Sequence, residues 1–364
     1  MPAAGSLHPQ RLLVVMPTWL GDCVMATPTL AALRGLYPQA RITALLRDSI
    51  APVLAGLPSV DATIGMNPGP RTGRRGDGDG GGRLLPLARR LRRERFDLAV
   101  LLPNSFRTGL MVRLAGIPRR VGYGRDGRSL LLTDALIPRH EGSYIPVPTR
   151  EYYLGLVRYL GAREVDPTMH LVVREADDRA ATGLLADAGL DPGDGRPLVL
   201  LNPGAAFGAA KMWPPARFAA VADRCAGELG AVVALIGAPS ERPVLAAVKA
   251  AARTPLLDLP AYGLDLATLK AVIARARVLV TNDTGPRHVA AALDTPVVTI
   301  FGPTDPAWTE IGYARERIVR VDVPCGPCQL KVCPLDHRCM TRVHPGRVVA
   351  NVAELMSLPV RASA

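Results

Sequence analysis

The apolar positions of this chain come in short unbroken runs, separated by longer segments in which they recur every three or four residues. The first run is Arg11-Leu-Leu-Val-Val-Met16. Consecutive apolar residues without polar alternation describe a strand covered on both faces, as in a parallel sheet. A Pro/Gly loop, Pro17-Thr-Trp-Leu-Gly-Asp22, leads into a helical segment over about 24–36 that Tyr37-Pro38 closes, and a second strand follows at Arg41–Leu46. This is a strand–helix–strand unit. The rhythm continues with strands at Ala62–Ile64, Asp97–Leu102 and Arg120–Gly122, and helices near 84–95, 105–115 and 150–160. A polar Gly/Pro-rich segment over 187–197 interrupts it, and the pattern then restarts.

The second series has strands at Leu198–Asn202, Val232–Ile236, Leu256–Leu259, Val278–Thr281 and Val297–Phe301, with helices near 215–229, 240–252, 265–276 and 286–293. The alternation predicts an α/β protein of two doubly wound, Rossmann-like domains. The expected boundaries are 1–186, a linker over 187–197, 198–344, and a final helix within 345–364. Residues 67–83, rich in Gly, Arg and Asp, have no apolar area to bury and read as a flexible loop.

Composition narrows the class. The 364 residues are 48% hydrophobic and 21% charged, a globular balance sufficient for two cores. No stretch reaches the roughly 18–20 apolar residues of a membrane span. Met1–Gln10 is polar and the run Leu12–Met16 is too short for a signal peptide, so a cytoplasmic protein is expected. The net charge of +12 is uneven: residues 1–180 hold 25 Lys+Arg against 16 Asp+Glu. Either an acidic partner meets that half, or the chain simply uses Arg freely, since its only lysines are Lys211, Lys249, Lys270 and Lys331. Aromatic residues at 4% argue against base-stacking nucleic-acid platforms.

Neither G-x-G-x-x-G after a strand nor a P-loop occurs, which weakens dehydrogenase and ATPase readings. Instead an apolar strand ends in Thr281-Asn-Asp-Thr-Gly-Pro-Arg-His288. Such a strand–loop–helix turn offers backbone N–H groups and a positive helix end to a phosphate. Asp283 or Thr284 caps the helix, binds ligand, or does both, and His288 faces the site or packs. A second loop, Asn202-Pro-Gly204 through Lys211-Met-Trp-Pro214, holds a similar place and carries one of the four lysines, a compact charge for a phosphate. In the first domain, Asp22 reads equally as a general base or as a helix cap.

As an ordered set these loops resemble the ADP-heptose:lipopolysaccharide heptosyltransferases, and most closely the branch that adds the second heptose. The matching stretches are Pro17–Met25, Leu102–Arg107, Gly116–Gly122, Pro203–Pro214, Thr281–Leu293 and Phe301–Asp305. The resemblance implies a GT-B fold, with an acceptor domain and a donor domain facing a cleft and a final helix packing back on the first domain. It implies inverting transfer of heptose from ADP-L-glycero-D-manno-heptose to the heptosyl-Kdo inner core, with no metal or other cofactor required. Carried over by position, Asp22 looks like the base and Lys211 the stabiliser of the leaving diphosphate. Asn202, Gly204, Lys211, Glu241, Asp283, Thr284, Gly285 and His288 fall on the donor side, with Glu241 toward the ribose. Asn104, Ser105, Arg107 and Arg120 fall on the acceptor side, where arginines suit Kdo carboxylates and phosphate. A monomer working peripherally at the inner face of the cytoplasmic membrane, without nucleic acid, is expected. Competing readings are a heptosyltransferase for another acceptor, a GT-B-shaped sugar-nucleotide epimerase, and a non-catalytic binder of anionic glycolipid.

Four of six cysteines cluster as Cys325, Cys328, Cys333 and Cys339. Their spacing allows a structural zinc, reduced thiols in an ordered loop, or redox pairing, and matches no common finger. Cys23 and Cys225 read as packing residues.

Overall fold

A computed structural model describes residues 8–66, 84–137, 148–191 and 193–359. The Gly/Arg-rich stretch 67–83 lies outside the described residues, as does Pro192 of the expected linker. The chain forms two compact units, Met1–Val172 and Val173–Ala364.

The first unit holds six strands: β1 (Arg11–Val15), β2 (Arg41–Leu46), β3 (Ala62–Gly65), β4 (Leu98–Leu101), β5 (Arg119–Tyr123) and β6 (Asp134–Leu136). They pair in the order β3-β2-β1-β4-β5-β6, all parallel. The central strands β1 and β4 are apolar because helices cover both faces: Leu12 to Val15 and Leu98 to Leu101 are fully buried. The expected 24–36 helix is two helices, Leu20–Met25 and Thr27–Leu36, broken at Ala26 with Pro28 in the first turn of the second.

The second unit holds β7 (Leu198–Asn202), β8 (Val232–Leu235), β9 (Leu257–Asp258), β10 (Val278–Asn282), β11 (Val297–Ile300) and β12 (Glu316–Val319). Their order is β12-β11-β10-β7-β8-β9, again parallel throughout. Counted from each unit's own first strand, both sheets read 3-2-1-4-5-6, the doubly wound Rossmann order. The expected α/β class of two doubly wound units is therefore realised as two sheets of one topology.

Two expected boundaries need correction. The helix Glu175–Asp187 lies within the second unit, packed on the helix Leu266–Arg275. A buried pair, Lys270 Nζ to Asp177 Oδ2 at 3.5 Å, and the Arg275–Asp178 pair join these helices. The division thus precedes this helix and not the 187–197 segment. The C-terminal helix Pro345–Ser357, expected to pack back on the first domain, lays its apolar face on β10, β11 and the helix Pro215–Leu229. Val348, Val349, Val352 and Leu355 complete the core of the second unit.

Candidate active site

In a sheet of this order, connections leave the two central strands on opposite faces and open a crevice at their carboxyl ends. In the second unit those strands are β7 and β10, and both end in asparagine. Asn202 Nδ2 donates to Thr281 Oγ1 and to Thr284 Oγ1, each at 2.9 Å. Asn282 returns the tie: its Nδ2 donates to the Pro203 and Gly204 carbonyls at 2.8 and 3.2 Å, and its Oδ1 accepts from Trp213 N–H. Two buried amides therefore fix the two loops against each other. Asn282 belonged to the recognised run, but nothing in one sequence gave it this strut role.

Lys211 projects from the first loop onto Asp283 of the second. Its Nζ donates to Asp283 Oδ2 at 2.5 Å and to the Asp283 carbonyl at 3.1 Å, and the carboxylate is almost wholly buried. Thr304 Oγ1 donates to the same Oδ2 at 2.8 Å, and Arg287 Nη1 stands 3.5 Å from Oδ1. Burial opposes ionisation of Asp283, but the charges of Lys211 and Arg287 outweigh it and hold the carboxyl below the usual range. Arg287 is itself fully buried, bidentate to Glu316 at 2.6 and 2.9 Å and bonded to the Thr309 carbonyl. Sequence reading passed over Arg287, Thr304 and Glu316. Their roles depend on partners across the sheet, and although Arg287 and Thr304 stood in matching stretches, Glu316 did not.

The helix Gly285–Ala292 begins here. Thr284 is its N-cap residue, yet makes no side-chain cap, because Asn202 takes its hydroxyl and Lys211 takes the neighbouring carboxylate. The capping alternative is thus set aside, and the helix N-terminus keeps donors for a ligand. His288, one turn in, is buried and its Nδ1 has no hydrogen-bond partner. Burial, with the Arg287 charge next, pushes its pKa down to about 3, so the ring is neutral at physiological pH.

Glu241 reaches the same loops from β8. A Cβ on Gly204 would lie 2.1 Å from the Glu241 carboxyl carbon, so only glycine lets the chain pass under that carboxylate. Glu241 Oε2 accepts from Ala238 N–H at 2.8 Å, and burial raises its pKa. An acidic side chain beyond the second strand of a Rossmann unit is where a ribose is held.

In the first unit, Asp22 stands in the first turn of the helix Leu20–Met25, whose N-cap is Trp19, so it is not the cap of the helix that follows. Its charge is felt by Tyr153 and by Cys23, whose thiols and phenols are raised mainly by burial. The loop after β4 places Asn104 under Tyr152 and Arg128: Asn104 Oδ1 accepts from Tyr152 Oη at 3.1 Å and Arg128 Nη2 at 3.4 Å. Ser105 caps the helix Phe106–Leu114, its Oγ accepting from Thr108 N–H at 3.3 Å. Arg107 follows in that helix, half-exposed. Arg120 is tied to its own loop. Its guanidinium donates to the main-chain carbonyls of Leu131, Ile117 and Pro118, which occupies it in holding the loop. Arg128, not singled out from the sequence, is fully buried and donates to the carbonyls of Tyr123 and Pro103 and to Thr108 Oγ1. Burial lowers its pKa to about 10.

Cys325, Cys328, Cys333 and Cys339 line one cavity of about 20 Å³ with Pro303, His337 and Ala210. Among the described residues no group of three or more His, Cys, Asp or Glu is spaced to hold a metal ion. Cys325 is exposed while Cys339 is buried, and all six cysteines are free of disulfides. Among the described residues no helix is long and apolar enough to cross a membrane.

Comparison with known proteins places this geometry. The model of glycosyltransferase family 9 (heptosyltransferase) matches residues 84–338. Lipopolysaccharide heptosyltransferase 2 of Salmonella typhimurium is 31% identical over 319 residues, covering 85% of this chain and 88% of that protein. Its namesake from Escherichia coli is 31% identical over 328 residues with the same coverage. The solved structure of E. coli ADP-heptose lps heptosyltransferase II superposes with a TM-score of 0.77 at 28% identity, covering 95% of this chain and 98% of that one.

Proposed function

Because the chain belongs to glycosyltransferase family 9, the heptosyltransferases, we propose that it transfers heptose from ADP-heptose to an inner-core lipopolysaccharide acceptor that already carries its first heptose. The observation that carries the donor half of this reading is the Lys211–Asp283 pair beside an uncapped helix N-terminus at the β7/β10 crevice.

In this reading the diphosphate settles against the N-terminus of the helix Gly285–Ala292 and the Thr284–Gly285 backbone. Lys211, pre-aimed by Asp283, moves toward the β-phosphate as the anomeric C–O bond breaks and negative charge develops there. The neutral His288, with an unsatisfied Nδ1, accepts from or donates to a donor hydroxyl or phosphate oxygen. Asn202 and Gly204 keep the loops in register, and Glu241 accepts from the ribose. Asp22 takes the proton of the acceptor hydroxyl as it attacks the anomeric carbon from the face opposite ADP, which inverts the configuration. Positive charge comes from Lys211 and the helix end, so the reading asks for no metal. Asn104, Ser105 and Arg107 lie on the acceptor side, while Arg120 serves that loop indirectly. The protein would work in the cytoplasm, peripherally at the inner face of the membrane where its acceptor is made.

The test is incubation of the purified protein with ADP-heptose and a Kdo-containing core acceptor bearing one heptose. Mass spectrometry is expected to show one added heptosyl group, with inverted anomeric configuration by NMR. Donor isomerisation without transfer would point to an epimerase instead, and transfer only to another acceptor would reassign the acceptor alone.

A further inference from the structure

The segment from Pro324 to His337 has no strand or helix, and Leu330, Val332 and Leu335 are exposed along it. It buries little apolar surface of its own, yet it is tied to the Lys211 loop at several points. Ala210 N–H donates to the Lys331 carbonyl at 3.0 Å, and His337 Nε2 lies 2.7 Å from the Ala210 carbonyl. Gln329 N–H donates to the Pro303 carbonyl at 2.8 Å, next to Thr304. Gly208, at φ +155°, passes so close that a Cβ would stand 2.4 Å from the Lys331 carbonyl. These contacts bring a second lysine to the site. Phe207, in the Lys211 loop, carries the Lys211 ammonium 4.9 Å from its ring centre and the Lys331 ammonium 5.9 Å from it.

The charge balance gives this lysine a purpose. Lys211 and Arg287 are matched by Asp283 and Glu316. Lys331 is exposed, and among the described residues no carboxylate pairs with it. It therefore brings to the cluster, which also holds Glu241, a cation that no carboxylate among the described residues pairs with, and it does so at an exposed edge.

We infer that Lys331 is a second cation of the diphosphate site, delivered by the cysteine-rich segment and held beside Lys211 by the Phe207 ring. This deepens the proposed donor reading and rests on it for the identity of the nucleotide. Lys211 is latched to Asp283, whereas Lys331 is available to an incoming anion. Its part is accordingly donor capture, with Lys211 acting as the leaving group departs. A charge-assisted contact of this kind is worth about tenfold in affinity.

The experiment is isothermal titration of ADP, AMP and inorganic pyrophosphate into the wild-type protein and the Lys331→Ala and Lys331→Arg variants, at two salt concentrations. Lys331→Ala is expected to weaken ADP and pyrophosphate about tenfold, to leave AMP within twofold, and to flatten the salt dependence. Lys331→Arg is expected to recover most of the loss. In turnover the alanine variant should show a raised donor KM with kcat largely kept. Unchanged ADP affinity would overturn the assignment, and so would equal weakening of ADP and AMP, which would mean a loosened loop. Failure of the wild type to bind any of the three would remove the site altogether. Diphosphate binding without heptosyl transfer would sink only the reading of the reaction.

Discussion

Replacing Lys211 with methionine keeps the length of the side chain and removes the ammonium that Asp283 accepts at 2.5 Å. The stranded carboxylate is only 4% exposed. Removing one partner of a buried pair costs about 3–5 kcal/mol, because the other charge stays behind unpaired. Here Thr304 at 2.8 Å and Arg287 at 3.5 Å remain, and Arg287 is committed to Glu316, so the lower end, ~3 kcal/mol, is expected. For a unit of this size that is a fall in Tm of about 6–12 °C. Adding Asp283→Asn removes the stranded charge, and the double variant should regain about 2 kcal/mol relative to Lys211→Met alone. Activity should not follow. Both variants should lose about 100- to 1000-fold in kcat, since the charge that meets the leaving diphosphate is gone.

The pH dependence has a definite sign. In the wild type the folded-state pKa of Asp283 lies below the unfolded value, so its contribution is full above the unfolded pKa and fades as pH falls through the folded one. Without Lys211 the burial cost is no longer outweighed, and the folded-state pKa of Asp283 rises above the unfolded one. The stranded charge becomes a penalty that protonation relieves, so the deficit of Lys211→Met should shrink between pH 7 and pH 5. Urea titrations of the four members of the cycle at pH 7 and pH 5, with donor kinetics beside them, measure all of this. A coupling energy below about 0.5 kcal/mol would refute the buried-pair argument. Recovery of activity in the double variant would refute the catalytic assignment.

Three other outcomes are expected. Asp22→Ala should lower transfer by at least about 100-fold while ADP binding by calorimetry stays within twofold, and turnover at the wild-type rate would remove Asp22 from the role of base. Gly204→Ala forces the Glu241 carboxylate out of its seat and should cost about 1–3 kcal/mol of stability while raising the donor KM; the double change Gly204→Ala/Glu241→Ala should regain stability but not affinity. His288 has a folded pKa near 3 against about 6.5 unfolded, so the unfolded chain binds more protons between those values and stability drops as pH falls through that window. His288→Gln should therefore show a smaller loss of urea midpoint between pH 7 and pH 5, and an equal loss would show that the ring is protonated in the folded state.

The strands read most plainly from the chain are those the sheet covers on both sides, although the edge strands β3 and β9 were read as well. β1, β4, β7 and β10 sit centrally, and their unbroken apolar runs allow no other element of that length. β6, Asp134-Ala-Leu, and β12, Glu316-Arg-Ile-Val, escaped notice because each begins with a charged residue that a half-buried edge strand tolerates, which leaves too short an apolar run to read. The helix Glu175–Asp187 illustrates a different difficulty. Its ties to Lys270 and Arg275 are long-range ion pairs, which leave no periodic trace. At the site, the rarity of lysine singled out Lys211, and loop position singled out Asp283, but not that they form one pair. The same blindness hid the local bonds of Arg120. From sequence an arginine in a basic half looks free, whereas here its Nε and Nη1 donate to three carbonyls.

The helix Pro345–Ser357 has a consequence for how the protein is made. Its four valine and leucine side chains close the core formed by β10, β11 and the helix Pro215–Leu229. During synthesis the first unit can complete its sheet once β6 has left the ribosome. The second must keep its central strands uncovered on one face until Leu355 has emerged. A nascent chain stalled near residue 340 should therefore present a folded first unit followed by an exposed apolar sheet, the form most in need of a chaperone.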